Sequence, residues 1–314
     1  MKIVRTRIKQ DPYKVIKQMY EEHGVADAIF MADAHLNWKT PIARTDDFME
    51  AMYRKLNFIG VLQSMNDNCP IYHAGDLFDY WDPPYWFFVE VAKRLPKNFH
   101  SVYGNHDLPQ HSYAERHRCG LYALDQTTKH IKALDFGYWN YVPNEEDGIV
   151  IKGRRLMIWH ICVFQVKEKW MDNIDSSHAL KLLKKYPQYD VIVTGDNHKP
   201  FIEEYKGRYL VNCGSMLRTT AAQADYKPHV YLWYAESNKI IPVPLPISPN
   251  VISRDHLEVK EARNERIETF VKSFDTWESG LDFEANLKTF EIQQKPEPEV
   301  MEIVYKSIDP SNSR

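Results

Sequence analysis

Five short polar clusters lie between residues 33 and 198: Asp33-Ala34-His35, Gly75-Asp76-Leu77-Phe78-Asp79, Gly104-Asn105-His106-Asp107, a lone His160, and Gly195-Asp196-Asn197-His198. Asp, His and Asn side chains are hard-to-borderline ligands suited to Mn²⁺, Fe²⁺, Zn²⁺ or Mg²⁺, and no thiolate stands among them. Three clusters open on glycine, which lets the backbone turn sharply and aim the next side chain into a common crevice. Taken singly the signals are weak. A histidine such as His160 is more often a capped or core residue, and a lone D-x-H triplet carries no information. Their order and company make them a set.

Each cluster follows an apolar run. Ala28–Met31, Pro70–Ala74, Phe99–Tyr103, Leu156–Trp159 and Tyr189–Thr194 read as strands. Thr45-Asp46-Asp47 caps a helix running to about Asn66, with Phe48, Met52, Leu56 and Ile59 on one side. Trp86–Leu95 and Ser176–Lys185 read as further helices. Hairpins are expected for Gly148–Lys152 with Leu156–Trp159 about Gly153-Arg154-Arg155, for Phe201–Tyr205 with Tyr209–Asn212, and for His229–Tyr234 with Lys239–Val243. Strands alternating with helices, then paired in hairpins, predict an α/β sandwich of mixed sheets. In such folds the loops at the carboxyl ends of strands build the site. A helix over 11–24 is expected ahead of it. Beyond about Asn250 the charged stretches Val259–Phe274 and Leu281–Phe290, with a Pro-broken linker at Lys295–Pro298, mark a second element. The expected division is 1–250 and 251–314.

Bulk properties exclude several classes. A chain of 314 residues, 44% hydrophobic and 26% charged, is too apolar for a disordered protein. Cys69, Cys119, Cys162 and Cys213 form no C-x-x-C pair, which excludes a zinc ribbon or disulfide framework and suits a reducing cytoplasm. The first ten residues lack the apolar stretch of a signal peptide, and no long apolar run follows, so a cytoplasmic protein without membrane attachment is expected. A net charge of −3 argues against coating nucleic acid by bulk charge, though not against a local basic groove.

The order of the clusters resembles the calcineurin-like metallophosphoesterases, whose blocks run D-x-H, G-D-x-x-D, G-N-H-D/E, a lone His after a strand, and G-H-x-H. The specific part is G-N-H-D following G-D-x-x-D, and the match spans roughly residues 28–200. The resemblance implies a four-layer α-β-β-α sandwich of two mixed sheets, here with a helical C-terminal extension. It implies two divalent ions, Mn²⁺ first among them, with Asp33, His35 and His198 on one, Asn105 and His160 on the second, and Asp76 bridging both. Two neighbouring cations need a shared anion to offset their repulsion, and water between them becomes a nucleophile for in-line attack on phosphorus. His106 directly follows a ligand, so it can face substrate and either stabilise the transition state or protonate the leaving oxygen. Asp107, next along, is expected to orient and charge that imidazole.

One position departs from the pattern. Where the family has G-H-x-H, this chain has Gly195-Asp196-Asn197-His198. Asp196 is expected to ligate the second metal as a harder, more anionic donor that favours Mn²⁺ or Mg²⁺ over Zn²⁺; a weak second site is the alternative. Neighbouring residues receive structural readings: His73 bonded within the sheet, Asp79 stabilising its own loop, and Trp81, Tyr85, Trp86, Phe87 and Phe88 in packing.

The substrate rests on smaller features. Gly214-Ser215-Met216-Leu217-Arg218 resembles the G-S-x-x-R segment of the SbcD-type DNA-repair exonucleases, and Asp225–Val230 and the helical tail are similar to that group too. That likeness implies an exonuclease-type DNA nuclease of repair, recombination or replication, a homodimer, and a coiled-coil ATPase partner (SbcC-like) docked on the tail. Amides at Gly214 and Ser215 and the guanidinium of Arg218 would then hold a phosphate beside the metals. His111, Arg116, His117 and Arg118, with Arg154, Arg155 and Lys199, could line a DNA groove. The alternative is a small-molecule phosphoesterase acting on cyclic nucleotides, nucleotides or lipid precursors. Gly75–Trp81 resembles the matching block of lipid-precursor pyrophosphatases, although those carry Arg where this chain has His106. Retention of His106 and Asp107 argues against a non-catalytic scaffold.

Overall fold

The computed structural model describes residues 20–168, 176–257, 261, 263–267 and 283–308. Strand β1 (Ala28–Met31) is apolar on both faces, as a strand covered on both sides must be. Side-chain alternation sends Ile29 and Met31 toward a layer of helices and Ala28 and Phe30 toward a second sheet. With β2 (Ile71–His73), β3 (Phe99–Ser101) and β4 (Ile131–Ala133) it forms a parallel array. Late in the chain β12 (His229–Tyr234) joins β1 antiparallel, and β13 (Lys239–Pro244) joins β12, which gives six strands in the order β13-β12-β1-β2-β3-β4. Helices α1 (Phe48–Ser64), α2 (Tyr85–Arg94) and α3 (Gly120–Thr127) cross between the parallel strands.

The second sheet contains β5 (Ile149–Ile151), β6 (Arg154–His160), β9 (Val191–Gly195), β10 (Phe201–Tyr205) and β11 (Arg208–Asn212), in the order β10-β11-β9-β6-β5. Its inner strands β11, β9 and β6 are parallel and its edges antiparallel. A small pair, β7 (Val163–Phe164) with β8 (Ser177–His178), lies outside both sheets and leads into α4 (Ala179–Lys185).

Three apolar clusters separate four layers. Ile29, Ile71 and Phe99 pack with Met52, Leu56, Phe87 and Leu121 of the first helical layer. Phe30, Tyr72 and Trp233 meet Ile158, Val193 and Val211 between the sheets. Met157, Trp159 and Ile192 meet Leu182 and Leu183 of α4. This is the expected α-β-β-α sandwich of two mixed sheets. Each fully buried Ile, Leu or Phe is worth about 1.5–3 kcal/mol, and a one-residue slip of any strand would move its set to the wrong layer.

Local rules explain most element ends. Asp47 caps α1 by accepting the Glu50 amide at 2.9 Å. The β5–β6 turn is Lys152-Gly153, both at positive φ, as a two-residue hairpin loop of matching twist requires. Arg154 and Arg155 therefore belong to the strand and not to the turn. Ser177–His178 opens as a strand because it pairs with Val163–Phe164, and the helix begins only at Ala179. On α1, Lys55 is buried and donates to the Met216 carbonyl at 2.7 Å. Burial together with Arg44 and Arg218 pushes its ammonium down to about 7.

The chain divides into two compact units between Ser253 and Arg254. The second unit contains α5 (Phe283–Gln294) and α6 (Pro298–Ile308), which enclose a small core of Leu287, Phe290 and Met301. Of the helix expected over 11–24, residues 20–23 are helical, Gly24 follows the helix, and residues 11–19 lie outside the described residues; most of Val259–Phe274 does too. Among the described residues no helix is long and apolar enough to cross a membrane.

Candidate active site

The polar clusters converge because parallel strands of both sheets end side by side. β1 delivers Asp33 and His35, β2 delivers Asp76 and Asp79, and β3 delivers Asn105, His106 and Asp107; β6 ends at His160, and β9 runs into Asp196 and His198. The strand ends are stitched together by backbone bonds. Asp33 N–H donates to Gly75 O, His35 N–H to Asp76 O, and Met216 N–H to Asp33 O, at 3.0, 3.0 and 3.1 Å. Asp33, His35, Asp76 and Asp196 all hold positive φ, at 47, 40, 57 and 77°. Such conformations cost non-glycine residues free energy, so the packing around them must enforce them. Gly104 makes one close approach possible, because a Cβ there would run into the Asp76 carboxylate and amide. Gly104→Ala is therefore expected to cost about 1–3 kcal/mol, several degrees in thermal midpoint. A calorimetric melt superimposable on the wild type would refute the contact.

Asp76 lies at the centre with its two oxygens divided. Oδ2 is 3.5 Å from His35 Nε2, and Oδ1 is 3.6 Å from His160 Nε2. On one side the donor atoms of Asp33, His35 and His198 fall within 4.8 Å of one another; on the other, those of Asp33, Asp76 and His160 do. Asn105 Oδ1 is 2.9 Å and Asp196 Oδ1 3.8 Å from His160 Nε2. The seven residues expected as ligands are thus brought together.

Their chemistry fits cations. The Asp33 Oδ2 atom is buried with no hydrogen-bond partner, a costly state for a carboxylate. His160 Nδ1 faces the Ala74 carbonyl at 2.7 Å and must donate to it, so a neutral ring turns the Nε2 lone pair toward the Asn105 oxygen. His35 and His198 likewise meet nitrogen to nitrogen at 3.1 Å. The electrostatics of the site reflect the same congestion. Burial pushes Asp33 up to about 7, and burial and His35 push His198 down to about 4. Although burial disfavours its charged form, His35 is held at about 9 by Asp79, Asp76 and Asp33. A divalent ion on each side of Asp76 would satisfy all of these atoms.

Three expectations need correction. Asp107 does not orient His106. It is buried, and its carboxylate accepts the amides of Leu77, Phe78 and Gly104 at 3.2, 3.1 and 3.0 Å, so it braces the loops that carry Asp76 and Asn105. The residue beside His106 is Asp79, whose carbonyl accepts from His106 Nδ1 at 2.9 Å. Its carboxylate lies 3.2 Å from His35 Nδ1 and accepts from Asn37 at 2.6 Å. Asp79 therefore orients both a ligand and the candidate acid, beyond steadying its own loop.

The second correction concerns Gly214, Ser215 and Arg218. Arg218 is 4% exposed and donates to the carbonyls of Ala224 and Ser248, while its own carbonyl accepts from Arg44. Ser215 donates its amide to His198 O and its hydroxyl to Leu217 O, and Tyr226 donates to its carbonyl. Gly214 abuts His198 and Pro200. The segment clamps the ligand loops: both terminal nitrogens of the guanidinium are spent on carbonyls, and Arg218 Nε, which has no partner, is itself buried. Third, the expected basic groove is largely neutralised: Arg154 pairs with Asp190, Arg118 with Glu115 and Lys199 with Glu168, and Arg155 donates to backbone carbonyls. Among the aromatic residues assigned to packing, Phe87 is buried, whereas Tyr85 and Trp86 are exposed.

A family model for the calcineurin-like phosphoesterase superfamily domain matches residues 28–232, more than half of the chain. The chain belongs to the calcineurin-like phosphoesterase superfamily. The match spans every candidate ligand position, from Asp33 to His198. Solved structures with similar folds include an archaeal phosphodiesterase, 15% identical over 69% of this chain and 99% of that one, with a TM-score of 0.41. Vacuolar protein sorting 29 of Cryptosporidium parvum is 14% identical over 71% and 100% of the two chains, with a TM-score of 0.35. A metallophosphoesterase of Sphaerobacter thermophilus is 13% identical over 70% and 89%, with a TM-score of 0.36. Likenesses of this size carry no argument about substrate. No curated protein sequence matches the chain.

Proposed function

We propose that the chain is a dinuclear-metal phosphodiesterase that cuts DNA. The observation that carries the reading is His106, with 41% of its side chain exposed, standing beside a buried carboxylate divided between two ligand groups. Asp33, His35 and His198 would hold one ion and Asn105, His160 and Asp196 the other, with Asp76 common to both. The carboxylate at Asp196 favours Mn²⁺ over Zn²⁺. Such a pair of ions, when bound, supplies a nucleophile from water at neutral pH and neutralises the phosphoryl oxygens. The chain's own groups do the rest. His106 Nδ1 donates to Asp79 O, which leaves Nε2 to face the leaving oxygen, and the protonated ring gives that oxygen its proton.

Support for DNA comes from the G-S-x-x-R likeness; a proton donor at His106 suits a nucleoside alkoxide leaving group, which DNA shares with cyclic nucleotides. An exonuclease mode, a place in repair, recombination or replication, a homodimer, and a coiled-coil ATPase partner docked on 251–314 belong to the same reading. The neutralised arginines favour a second one, a small-molecule phosphodiester substrate such as a cyclic nucleotide. Purified protein with Mn²⁺ is expected to cleave single- or double-stranded DNA above a His106→Ala control. Turnover of bis-p-nitrophenyl phosphate or a nucleotide panel with DNA left intact would establish the second reading instead.

A further inference from the structure

A cavity of about 370 Å³ is lined by the candidate ligands His35 and His198 and by His106, together with Asn37, Lys39, Thr40, Tyr80 and Thr219. We propose that Lys39 is a specificity residue that binds a second phosphate of the substrate, next to the ester being cut. The proposal rests on the phosphodiesterase reading and names what that site selects.

Lys39 is placed by the site itself. Leu36, one residue after the ligand His35, bridges to Phe78, and its amide donates to Leu77 O at 2.9 Å. Asn37 Nδ2 then donates to Asp79 Oδ2 at 2.6 Å, and the Asn37 oxygen accepts the Lys39 amide at 2.9 Å. This Asx turn ties the lysine's backbone to the carboxylate that also steadies His35. Any substrate anchored at the ligands therefore meets Lys39 at a fixed offset.

The ammonium group is presented in an unusual way. It has no carboxylate partner among the described residues, whereas Arg118, Arg154 and Lys199 all do. Instead it lies over two ring faces, 5.1 Å from the Tyr80 centroid and 5.4 Å from that of Trp38. Ring faces hold a cation without neutralising its charge and leave N–H donors free. The neighbouring lining residues Asn37, Thr40, Tyr80 and Thr219 are uncharged, and Asp79 is engaged by Asn37 and His35. An anion entering there meets the exposed ammonium of Lys39 in addition to the imidazoles of His35 and His106.

The test uses two chromogenic diesters that differ by one remote phosphate: thymidine 5′-(p-nitrophenyl phosphate) with and without a 3′-phosphate, assayed with Mn²⁺. The wild type is expected to favour the 3′-phosphorylated ester about tenfold in kcat/KM, mostly through KM, as one charge-assisted contact supplies. Lys39→Met brings that ratio close to one, Lys39→Arg keeps it, and raised salt shrinks it in the wild type. Equal losses on both esters, with the ratio intact, would make Lys39 a merely structural residue and overturn the proposal. A wild-type ratio of one overturns it as well. If the wild type hydrolyses neither ester, the phosphodiesterase reading falls and takes the Lys39 role with it.

Discussion

Asp76→Asn is expected to lower divalent-metal affinity by about two to three and a half decades and to remove turnover with it. Asp76 is 1% exposed, and its two oxygens face different histidines. Although burial disfavours its anion, His160, His35 and His106 hold its carboxyl below the ordinary range. An amide keeps the shape and removes the charge, leaving the surrounding cationic groups uncompensated. Breaking a buried ionic group in this way costs about 3–5 kcal/mol, which converts to that range of affinity at about 1.4 kcal/mol per decade. The His106 amide, which donates to Asp76 Oδ1 at 2.9 Å, still finds an acceptor if the Asn oxygen takes that place, so the fold should survive. Metal content after dialysis against limiting Mn²⁺ reads the effect. A variant that retained two ions per chain would show that Asp76 does not join the two groups.

The second large effect depends on the leaving group. His106→Gln should reduce kcat for DNA by about 10²–10⁴, the usual worth of a placed general acid. The loss should be far smaller with bis-p-nitrophenyl phosphate, because nitrophenolate departs without a proton. Metal content should stay at the wild-type level, since the His106 ring contacts Asp79 O and packs edge-on against His35 at 4.7 Å. Equal losses on both substrates would instead make His106 an electrostatic or positioning group.

The layered fold was legible where an apolar run was long enough to mark a strand covered on both faces. β6 buries Leu156 through His160 without a break, and its odd and even residues face different layers. β4, with the sequence Ile-Lys-Ala and one fully buried residue, has too short a pattern to stand out, and only its pairing with β3 makes it a strand. The ligand set could be read because backbone turns place motif residues whatever their distant neighbours are. Second partners could not be read in the same way. Asp107 is adjacent to His106 in sequence, yet its side chain turns into the loops, and Asp79, far earlier in the chain, occupies the place expected of it. The repeated acid of G-D-x-x-D was the available signal. Arg218 was misread because its partners are backbone carbonyls, which leave no trace in residue types.

The pairing of β1 with β12 also sets a timetable for the newborn chain. Ala28 is made about two hundred residues before its partner Trp233. At a synthesis rate of about 5–20 residues per second, β1 waits on the order of 10–40 s for that neighbour. Asp33 waits almost as long for the Met216 amide that fastens its carbonyl. The earliest candidate ligands thus gain their last backbone fastenings only when strands made much later arrive, so a chain still lacking β12 carries these side chains without the frame that gathers them.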